Sequence, residues 1–312
     1  MVQLFFFLIL FTATRRQILN SSCMAFSSSI LSSNNKIDDI AVFGCGVLGT
    51  SLCQQILKSN DFDGLTVTGI TKSTTKHESI RDAMSNNNRF RVLTYEDSIK
   101  QGKTFRNVVF CAPPSGFDDY PAAVKEVAET VYNGEGTMVF TSAGSVYGGF
   151  DGETVNEKSP VTSDAPRAKR LLAAEAACPG IVLRLAGLYT LERGAHNYWL
   201  GKDEVAGRED GLINLLHYDD AAGACMAALL KQRSKDESNI YLISDGHPLT
   251  RKQICESAKK AKLYADKQIP NFLGSKDKDP KGKMYDGSRS NKELNWKPRY
   301  NSFDEFMSSS QS

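Results

Sequence analysis

A short apolar segment, a glycine-rich turn and an amphipathic helix together constrain this 312-residue chain more than any other feature. Residues 40–43 (IAVF) predict a buried strand, and residues 44–49 (GCGVLG) follow the pattern GxGxxG. Leu48, Leu52 and Ile56 then recur at four-residue spacing, which predicts one face of a helix. This strand–turn–helix context is typical of a dinucleotide-binding fold, because the turn leaves a helix N-terminus open to phosphate groups.

Each position of the glycine turn has a predicted role at such a site. Gly44 permits the tight turn, Gly46 lets a pyrophosphate approach the backbone, and Gly49 lets the helix pack closely on the strand. Val47 and Leu48 open the helix and present backbone N–H groups to the phosphates. The alternative is a glycine turn that binds no ligand.

The residues that follow the second predicted strand, 65–70, bear on the choice between NAD and NADP. An NAD site usually has an Asp or Glu there, which accepts hydrogen bonds from the ribose 2′-hydroxyl. This chain has Thr71, Lys72 and Ser73 instead, and hydroxyl and ammonium groups suit a 2′-phosphate. We therefore predict NADP as the cofactor, with NAD as the alternative. Lys72 as a merely solvated loop charge is the competing interpretation.

Apolar strands continue to alternate with amphipathic helices along the chain. Further strands are predicted at 91–95, 107–111, 137–141, 181–185 and 240–243, and helices at 124–131, 166–177 and 221–230. This order predicts an α/β fold, a Rossmann doubly wound parallel sheet with a small C-terminal substrate lobe. Residues 274–283 (GSKDKDPKGK) predict a solvated loop. The predicted organisation is a leader (1–37), a Rossmann core (38–190), a substrate-lobe insertion (191–213), the completion of the core (214–245) and the small C-terminal lobe (246–312).

Residues 1–37 differ in composition from the rest of the chain. They contain three basic residues, seven serines and no Asp or Glu. The apolar run 4–11 is too short to span a bilayer, and the arginines follow it rather than precede it. An acid-poor, Ser-rich leader predicts a transit peptide to the chloroplast stroma. A mitochondrial leader, a cytoplasmic protein with a disordered tail and a misassigned start, with Met24 as the alternative first residue, remain open.

Charge and cysteine usage exclude other classes of function. The net charge is +2, and it becomes −1 without the three basic residues of the leader. No basic field therefore supports nucleic-acid binding. Seven cysteines form no CxxC pair, which predicts packed, reduced thiols. We expect a small-molecule substrate, no nucleic-acid partner and no stable membrane insertion, and a homodimer is compatible with the chain.

Four later segments, together with the glycine turn, carry a family resemblance. They are 138–148 (MVFTSAGSVYG), 182–189 (VLRLAGLY), 216–221 (LHYDDA) and 241–246 (YLISDG). In this order they resemble the NAD(P)-dependent epimerase/dehydratase group, the extended short-chain dehydrogenases/reductases, over about residues 39–308. The resemblance implies a ligand crevice at the carboxyl ends of the strands, with cofactor contacts at Ala112, Pro113 and Leu188.

In that family, catalysis implies a Ser or Thr and a YxxxK pair on one helix. The Lys ammonium lowers the tyrosine pKa, and the Tyr exchanges a proton with the reacting oxygen. Here the Lys position best matches Lys169, which puts Ala165 at the Tyr position, and the Ser/Thr position falls on Ala143. The orthodox tyrosine is therefore missing. The candidate catalytic residues are Ser142, Ser145, Tyr147 and Lys169.

The loop after residue 189 is where the family's substrate contacts usually lie. Arg193, His196 and Tyr198 are the candidate substrate residues there, with a solvated loop as the alternative. Tyr189, His196 and His217 are further candidates for the acid.

Two other groups of residues invite a chemical interpretation that we do not favour. In the sequence His217-Tyr218-Asp219-Asp220, an Asp is expected to cap the next helix, so we predict no metal site. Cys111 at a strand end is predicted to be a buried structural thiol.

Three functions remain open on the sequence. The first is an atypical oxidoreductase or epimerase that acts on a small carbonyl, alcohol or sugar-type substrate. The second is a catalytically impaired NADP-binding sensor or regulatory protein. The third is a protein-interaction scaffold on a Rossmann fold. The intact glycine turn favours the first, and the absence of the expected tyrosine favours the second.

Overall fold

The computed structural model describes residues 40–148, 151–231 and 239–310. The predicted leader, 1–37, lies outside the described residues, as does Cys23. The strands of the described part are, in chain order, β1 (Ile40–Phe43), β2 (Val67–Thr71), β3 (Phe90–Thr94), β4 (Asn107–Phe110), β5 (Met138–Ala143), β6 (Asp151–Val155), β7 (Ile181–Leu185), β8 (Gly187–Tyr189), β9 (Glu204–Val205), β10 (Leu212–Ile213), β11 (Leu215–His217), β12 (Ile240–Ile243), β13 (Leu249–Thr250), β14 (Asn271–Phe272) and β15 (Gly282–Tyr285).

Helices flank these strands along the chain. They are α1 (Val47–Lys58), α2 (His77–Ala83), α3 (Tyr95–Lys100), α4 (Tyr120–Thr130), α5 (Pro166–Ala177), α6 (Ala195–Trp199), α7 (Tyr218–Leu230), α8 (Arg251–Ala258), α9 (Ser288–Glu293) and α10 (Phe303–Ser309). Within the described residues, no helix has the length and apolar character needed to span a membrane.

Seven of the strands form one sheet in the order β12-β7-β5-β4-β1-β2-β3, and all neighbouring pairs are parallel. The chain order reverses between β1 and β4, which is the topological switch point where doubly wound folds bind their ligands. The predicted Rossmann α/β fold is therefore confirmed.

Both faces of this sheet are buried, which explains the continuous apolar strands. In β1, Ile40 and Val42 belong to one apolar core, whereas Ala41 and Phe43 belong to the other. Successive side chains of a strand point to opposite faces, so a strand covered on both sides must be apolar at every position.

A third apolar cluster lies beyond the sheet. It includes Trp199 and Val205 from the first predicted lobe segment, together with Ile254, Tyr264 and Phe303 from the second. The two segments that were assigned to a substrate lobe, 191–213 and 246–312, thus pack on each other, although residues 214–245 separate them in sequence.

The segment that was expected to be a solvated loop differs from that expectation at its end. Residues 282–285 form β15, which pairs in parallel with β6. Lys283 is half-buried and not solvated like the lysines before it. The charged residues of the segment predict a loop, whereas β15 forms because it pairs with β6, which lies far away in the sequence.

Candidate functional site

The glycine turn after β1 brings three chain segments together. Gly44 has φ +103°, and a Cβ there would lie 2.6 Å from the Cα of Ala112, the second residue after β4. A Cβ at Gly49 would collide with the carbonyl oxygen of Gly44 and lie 3.2 Å from the Sγ of Cys111. Both glycines are therefore required by close packing within the protein itself.

Gly46 differs from both, because a Cβ there would meet no atom of the described residues within 4 Å. Its φ of −81° is accessible to any residue. Packing of the polypeptide thus does not explain a glycine at this position. The GxGxxG pattern predicts a ligand that approaches the backbone here.

Helix α1 begins at the same point, and its N-terminus is open. Gly46 is the N-cap residue, no side chain caps the helix, and its first turn contains no acidic residue. The twelve residues of α1 align their peptide dipoles toward this end. Free N–H groups and a positive dipole end together favour a phosphate group.

Two cavities meet at the glycine turn and share Gly44, Gly46, Ala112 and Pro113. One, of about 760 Å³, lies at the end of β2 and is called here the β2 cavity. The other, of about 600 Å³, lies at the ends of β5 and β7 and is called the β5 cavity. The predicted cofactor residues other than Gly49 line one or both: Gly44, Gly46, Val47, Leu48, Thr71, Lys72, Ser73, Ala112, Pro113 and Leu188.

The β2 cavity combines an apolar wall with a polar end. Phe43, Ile70, Tyr95 and Phe117 supply flat apolar surface of the kind that receives an aromatic base. The polar end consists of Thr71, Lys72, Ser73, Thr75 and Lys76, and the cavity is also lined by the carboxylates of Asp118 and Glu126.

The groups at the polar end differ in their availability to a ligand. The Thr71 hydroxyl is used locally, since it lies 2.7 Å from Nε2 of His77 and 2.9 Å from the carbonyl oxygen of Ser73. Lys72 Nζ donates only a 3.3 Å bond to the carbonyl of Gly116. The Lys76 ammonium has no partner among the described residues. Lys76 was not predicted from the sequence, because the short turn that brings it back to the cavity has no distinctive pattern.

In the β5 cavity, Ser142 and Tyr147 take part in a buried polar network. Ser142 Oγ donates to Glu175 Oε1 (2.6 Å), and Arg184 pairs with Glu175 at 2.7 Å. Arg184 Nη1 also donates to the Tyr147 hydroxyl (2.9 Å). Tyr147 is fully buried and does not line the cavity, whereas Ser142 does. Burial raises the pKa of Tyr147. Proton exchange between Tyr147 and a ligand would require this network to open.

The other two candidate catalytic residues are exposed. Ser145 lines the β5 cavity. Lys169 lines neither cavity, because the residues of α5 that face the β5 cavity are Arg167 and Leu171. These two are also four residues apart, so the face that a YxxxK pair would occupy carries an Arg and a Leu here.

The three candidate substrate residues occupy different environments. Arg193 lines the β5 cavity. His196 is buried beside the third apolar cluster, donates from Nε2 to the carbonyl oxygen of Leu191 at 2.9 Å, and has its pKa lowered by burial. Tyr198 is 63% exposed on the surface. The structure thus brings only Arg193 to the cavity.

The C-terminal strand β15 supplies polar groups that the sequence did not indicate. Lys283 and Tyr285 line the β5 cavity, as does Asn214. Burial lowers the pKa of Lys283, and its ammonium has no hydrogen-bond or ion-pair partner within the described ranges. No sequence signal marks β15, since the segment GKMY has neither a clear alternation nor a motif.

The residues before α7 have structural roles. His217, and not an Asp, caps the helix, because its Nδ1 accepts from the Asp219 backbone N–H at 3.1 Å. The carboxylate of Asp220 accepts from the backbone N–H groups of Arg299 and Tyr300.

Cys111 is a free thiol whose pKa burial raises well above its usual value. The six described cysteines form no disulfide.

No protein-family model matches the chain, and no curated protein matches it. Solved structures do match it. UDP-glucuronic acid 4-epimerase from Bacillus cereus, in complex with NAD, is 18% identical with a TM-score of 0.69 over 86% of this chain and 96% of that one. The dTDP-glucose 4,6-dehydratase from Bacillus anthracis, in complex with NAD, is 17% identical with a TM-score of 0.67 over 87% and 94%.

UDP-glucose 4-epimerase from Thermotoga maritima, with UDP-glucose, is similar to the same degree. It is 17% identical with a TM-score of 0.64, over 86% of this chain and 96% of that chain. The fold thus continues over nearly the whole of each of these enzymes. The chain has the fold of the NAD-dependent epimerases and dehydratases, as its sequence motifs indicate.

Proposed function

We propose that the protein binds a nicotinamide dinucleotide across the two cavities and is an atypical oxidoreductase or epimerase. The open space at Gly46 carries this proposal. This glycine lies where the two cavities meet, at an uncapped helix N-terminus, and no contact among residues 40–148, 151–231 and 239–310 requires it to be a glycine. A pyrophosphate seated there would place its two halves in the two cavities.

We propose NADP rather than NAD as the preferred cofactor. The polar end of the β2 cavity presents Lys72 and Lys76 with the hydroxyls of Ser73 and Thr75, and residues 71–73 include no carboxylate. Ammonium groups attract a 2′-phosphate, whereas a carboxylate would repel it. The matched enzymes hold NAD, so this preference would distinguish the chain from them.

The substrate we propose is a small carbonyl, alcohol or sugar-type compound that carries an anionic group. Arg167, Arg193 and Lys283 line the β5 cavity, and its described lining residues include no Asp or Glu. None of the three cations has a side-chain partner in the described part of the chain. Unpaired cations in a partly closed cavity are stabilised by an anion, so a carboxylate or phosphate group suits this site.

Calorimetric titration of the full chain with NADPH and NADH tests the proposal. We expect NADPH to bind at least about tenfold more tightly, which is about 1.4 kcal/mol. Equal or tighter binding of NADH would refute the preference based on Lys72 and Lys76. Binding of neither would refute every cofactor-dependent function and favour the protein-interaction scaffold.

The second candidate function is a dinucleotide-responsive binding protein. The observation that favours it is the state of the residues around β5. Ala143 and Ala165 occupy the positions where the resemblance puts the hydroxyl and the tyrosine, and Ser142 and Tyr147 are engaged in the network with Glu175. NADPH binding without turnover of any carbonyl compound would support this function.

We also propose that residues 1–37 direct the protein to the plastid stroma. Their lack of acidic residues and their seven serines support this. Fusion of 1–37 to a fluorescent protein should produce plastid fluorescence in plant cells. Mitochondrial or cytoplasmic fluorescence would contradict the proposal.

A further inference from the structure

Strand β15 brings a tyrosine from the C-terminal part of the chain into the β5 cavity. Tyr285 lines this cavity together with Ser142 and Ser145. We propose that the Tyr285 hydroxyl exchanges a proton with the reacting oxygen of the substrate, in place of the tyrosine that the helix α5 lacks. This inference rests on the proposed dinucleotide-dependent function and names the acid of that same site.

The position of the Tyr285 ring is the first argument. A Cβ at Gly144 would lie 2.6 Å from Cε2 of Tyr285 and closer still to its hydroxyl oxygen. The phenol therefore lies directly over the backbone of Gly144, in a space that any side chain there would fill. Gly144 follows Ala143, where the resemblance puts the hydroxyl residue of the site. The phenol is thus beside the backbone position where the resemblance puts the catalytic Ser or Thr.

The second argument is that β15 is fixed in register. Asn214 Nδ2 donates to the carbonyl oxygen of Lys283, and Asn214 Oδ1 accepts from the backbone N–H of Tyr285, both at 2.8 Å. Asn214 is itself buried. Because Lys283 and Tyr285 are two residues apart on a strand, their side chains leave on the same side. One buried amide thus presents both side chains to the cavity.

The third argument is that the Tyr285 hydroxyl is available. It forms no hydrogen bond with another described residue, whereas the Tyr120 hydroxyl, which also borders the cavity, donates to the carbonyl of Ala112 (2.8 Å). Tyr147 is bonded to Arg184 and fully buried. Tyr218 lines the cavity as well, but from the first turn of α7, which packs along α1.

The charge state of the phenol suits a proton donor. Burial, with a smaller contribution from nearby Tyr147, raises the pKa of Tyr285, so the hydroxyl holds its proton at neutral pH. A reduced nicotinamide, when bound, supplies the hydride that the carbonyl carbon accepts. Tyr285 then gives its proton to the carbonyl oxygen, which becomes the alcohol, and the phenolate regains a proton from water. Arg167, Arg193 and Lys283 line the same cavity, and a positive charge near a phenol favours its phenolate form.

A comparison of NADP⁺ with NADPH tests the proposal without a known substrate. The two carry the same phosphates and differ in the positive charge of the oxidised ring, so that charge lowers the pKa of a phenol beside it. Because burial holds the pKa of Tyr285 above the ordinary tyrosine value of about 10, we expect the wild type to release more protons with NADP⁺ than with NADPH at about pH 10 and above. Calorimetry in buffers of different ionisation enthalpy measures this release. The NADP⁺ affinity should rise over this range by about tenfold per pKa unit of lowering.

Single tyrosine variants assign the proton. Tyr285→Phe should abolish the excess release while it still binds NADPH, and Tyr218→Phe and Tyr147→Phe should keep it. Excess release that persists in Tyr285→Phe would overturn the proposal, and its loss in Lys283→Met would then assign the proton to the ammonium. Binding of both dinucleotides with no excess release in the wild type would also overturn it. A wild type that binds neither dinucleotide would refute the proposed function itself.

Discussion

Replacement of each glycine in the turn by alanine shows which glycines are needed for folding and which is needed for ligand binding. Gly44 and Gly49 are packed against Ala112 and against the turn's own backbone, whereas a Cβ at Gly46 meets open space. Gly46→Ala should therefore fold normally and bind the dinucleotide more weakly. Gly44→Ala and Gly49→Ala should be damaged in folding.

The expected magnitudes follow from these contacts. At Gly46, alanine lowers the entropy of the unfolded chain by about 0.4–1 kcal/mol, and its poorer N-cap propensity offsets about the same amount. At Gly49, overpacking costs about 1–3 kcal/mol. At Gly44, left-handed backbone strain adds about 1–3 kcal/mol to a similar packing cost. For the ligand, a methyl group at position 46 that displaces the phosphate and breaks one charge-assisted hydrogen bond to the turn costs about 1.5–3 kcal/mol, which is about 10-fold to 150-fold in affinity.

Urea unfolding and calorimetric titration with NADPH measure the two effects on the same samples. Gly46→Ala should unfold within about 1 kcal/mol of the wild type and should bind NADPH at least about tenfold more weakly. Unchanged NADPH affinity in a folded Gly46→Ala protein would refute the argument that a ligand requires this glycine. Strong destabilisation of Gly46→Ala would refute the claim that the space around it is open.

Three further predictions concern other parts of the molecule. Lys72→Ala should lower NADPH affinity by about tenfold and leave NADH affinity and the unfolding free energy nearly unchanged, as titrations and urea unfolding would show. Glu175→Gln leaves Arg184 buried without its counter-charge and should lower the free energy of unfolding in urea by about 3–5 kcal/mol. The control Glu293→Gln, in a more exposed pair, should lower it by less than about 1 kcal/mol. Equal losses of unfolding free energy in the two variants would contradict the reasoning. Burial raises the pKa of Asp245 to about 7. The folded state therefore holds the carboxyl proton more tightly than the unfolded state does, and the wild type loses stability as pH rises from about 4 to 7. Asp245→Asn should thus be about 2–4 kcal/mol more stable than the wild type at about pH 8 and similar to it at about pH 4; a pH-independent difference would contradict the assignment.

The central sheet is predictable because its signals are local. Strands 40–43, 181–185 and 240–243 and helix 166–177 occur where their apolar patterns predict them. A strand buried on both faces has to be apolar at consecutive positions, so its sequence alone marks it. The glycine turn is predictable for the same reason, since six consecutive residues determine its geometry.

The helix α5 shows where a local pattern becomes ambiguous. Any helical face repeats every three or four residues, so both Ala165–Lys169 and Arg167–Leu171 satisfy the spacing of a YxxxK pair. Packing decides between them, because burial of Ala168 and Leu171 against the sheet turns Arg167 toward the cavity. The sequence alone does not indicate this rotation of α5 about its axis.

The substrate half of the site depends on contacts between distant residues. Asn214 fixes β15 through hydrogen bonds to residues about 70 positions later in the sequence. In the sequence, Lys283 ends a segment of charged residues that predicts a solvated loop. A strand of four residues whose partners lie that far away has no local periodicity to reveal it.

The buried network around β5 gives a physical reason for a proton donor from elsewhere. A buried Arg184 and Glu175 are stable only if their hydrogen-bonding capacity is satisfied. Ser142 donates its single hydroxyl proton to Glu175, and so it has none to give to a ligand oxygen while that bond exists. Tyr147 in turn accepts from Arg184 in a fully buried position. The hydroxyl groups of Ser142 and Tyr147 thus stabilise the fold. A proton donor for chemistry in the β5 cavity is then expected from a residue outside this hydrogen-bond network, and Tyr285 on β15 is such a residue.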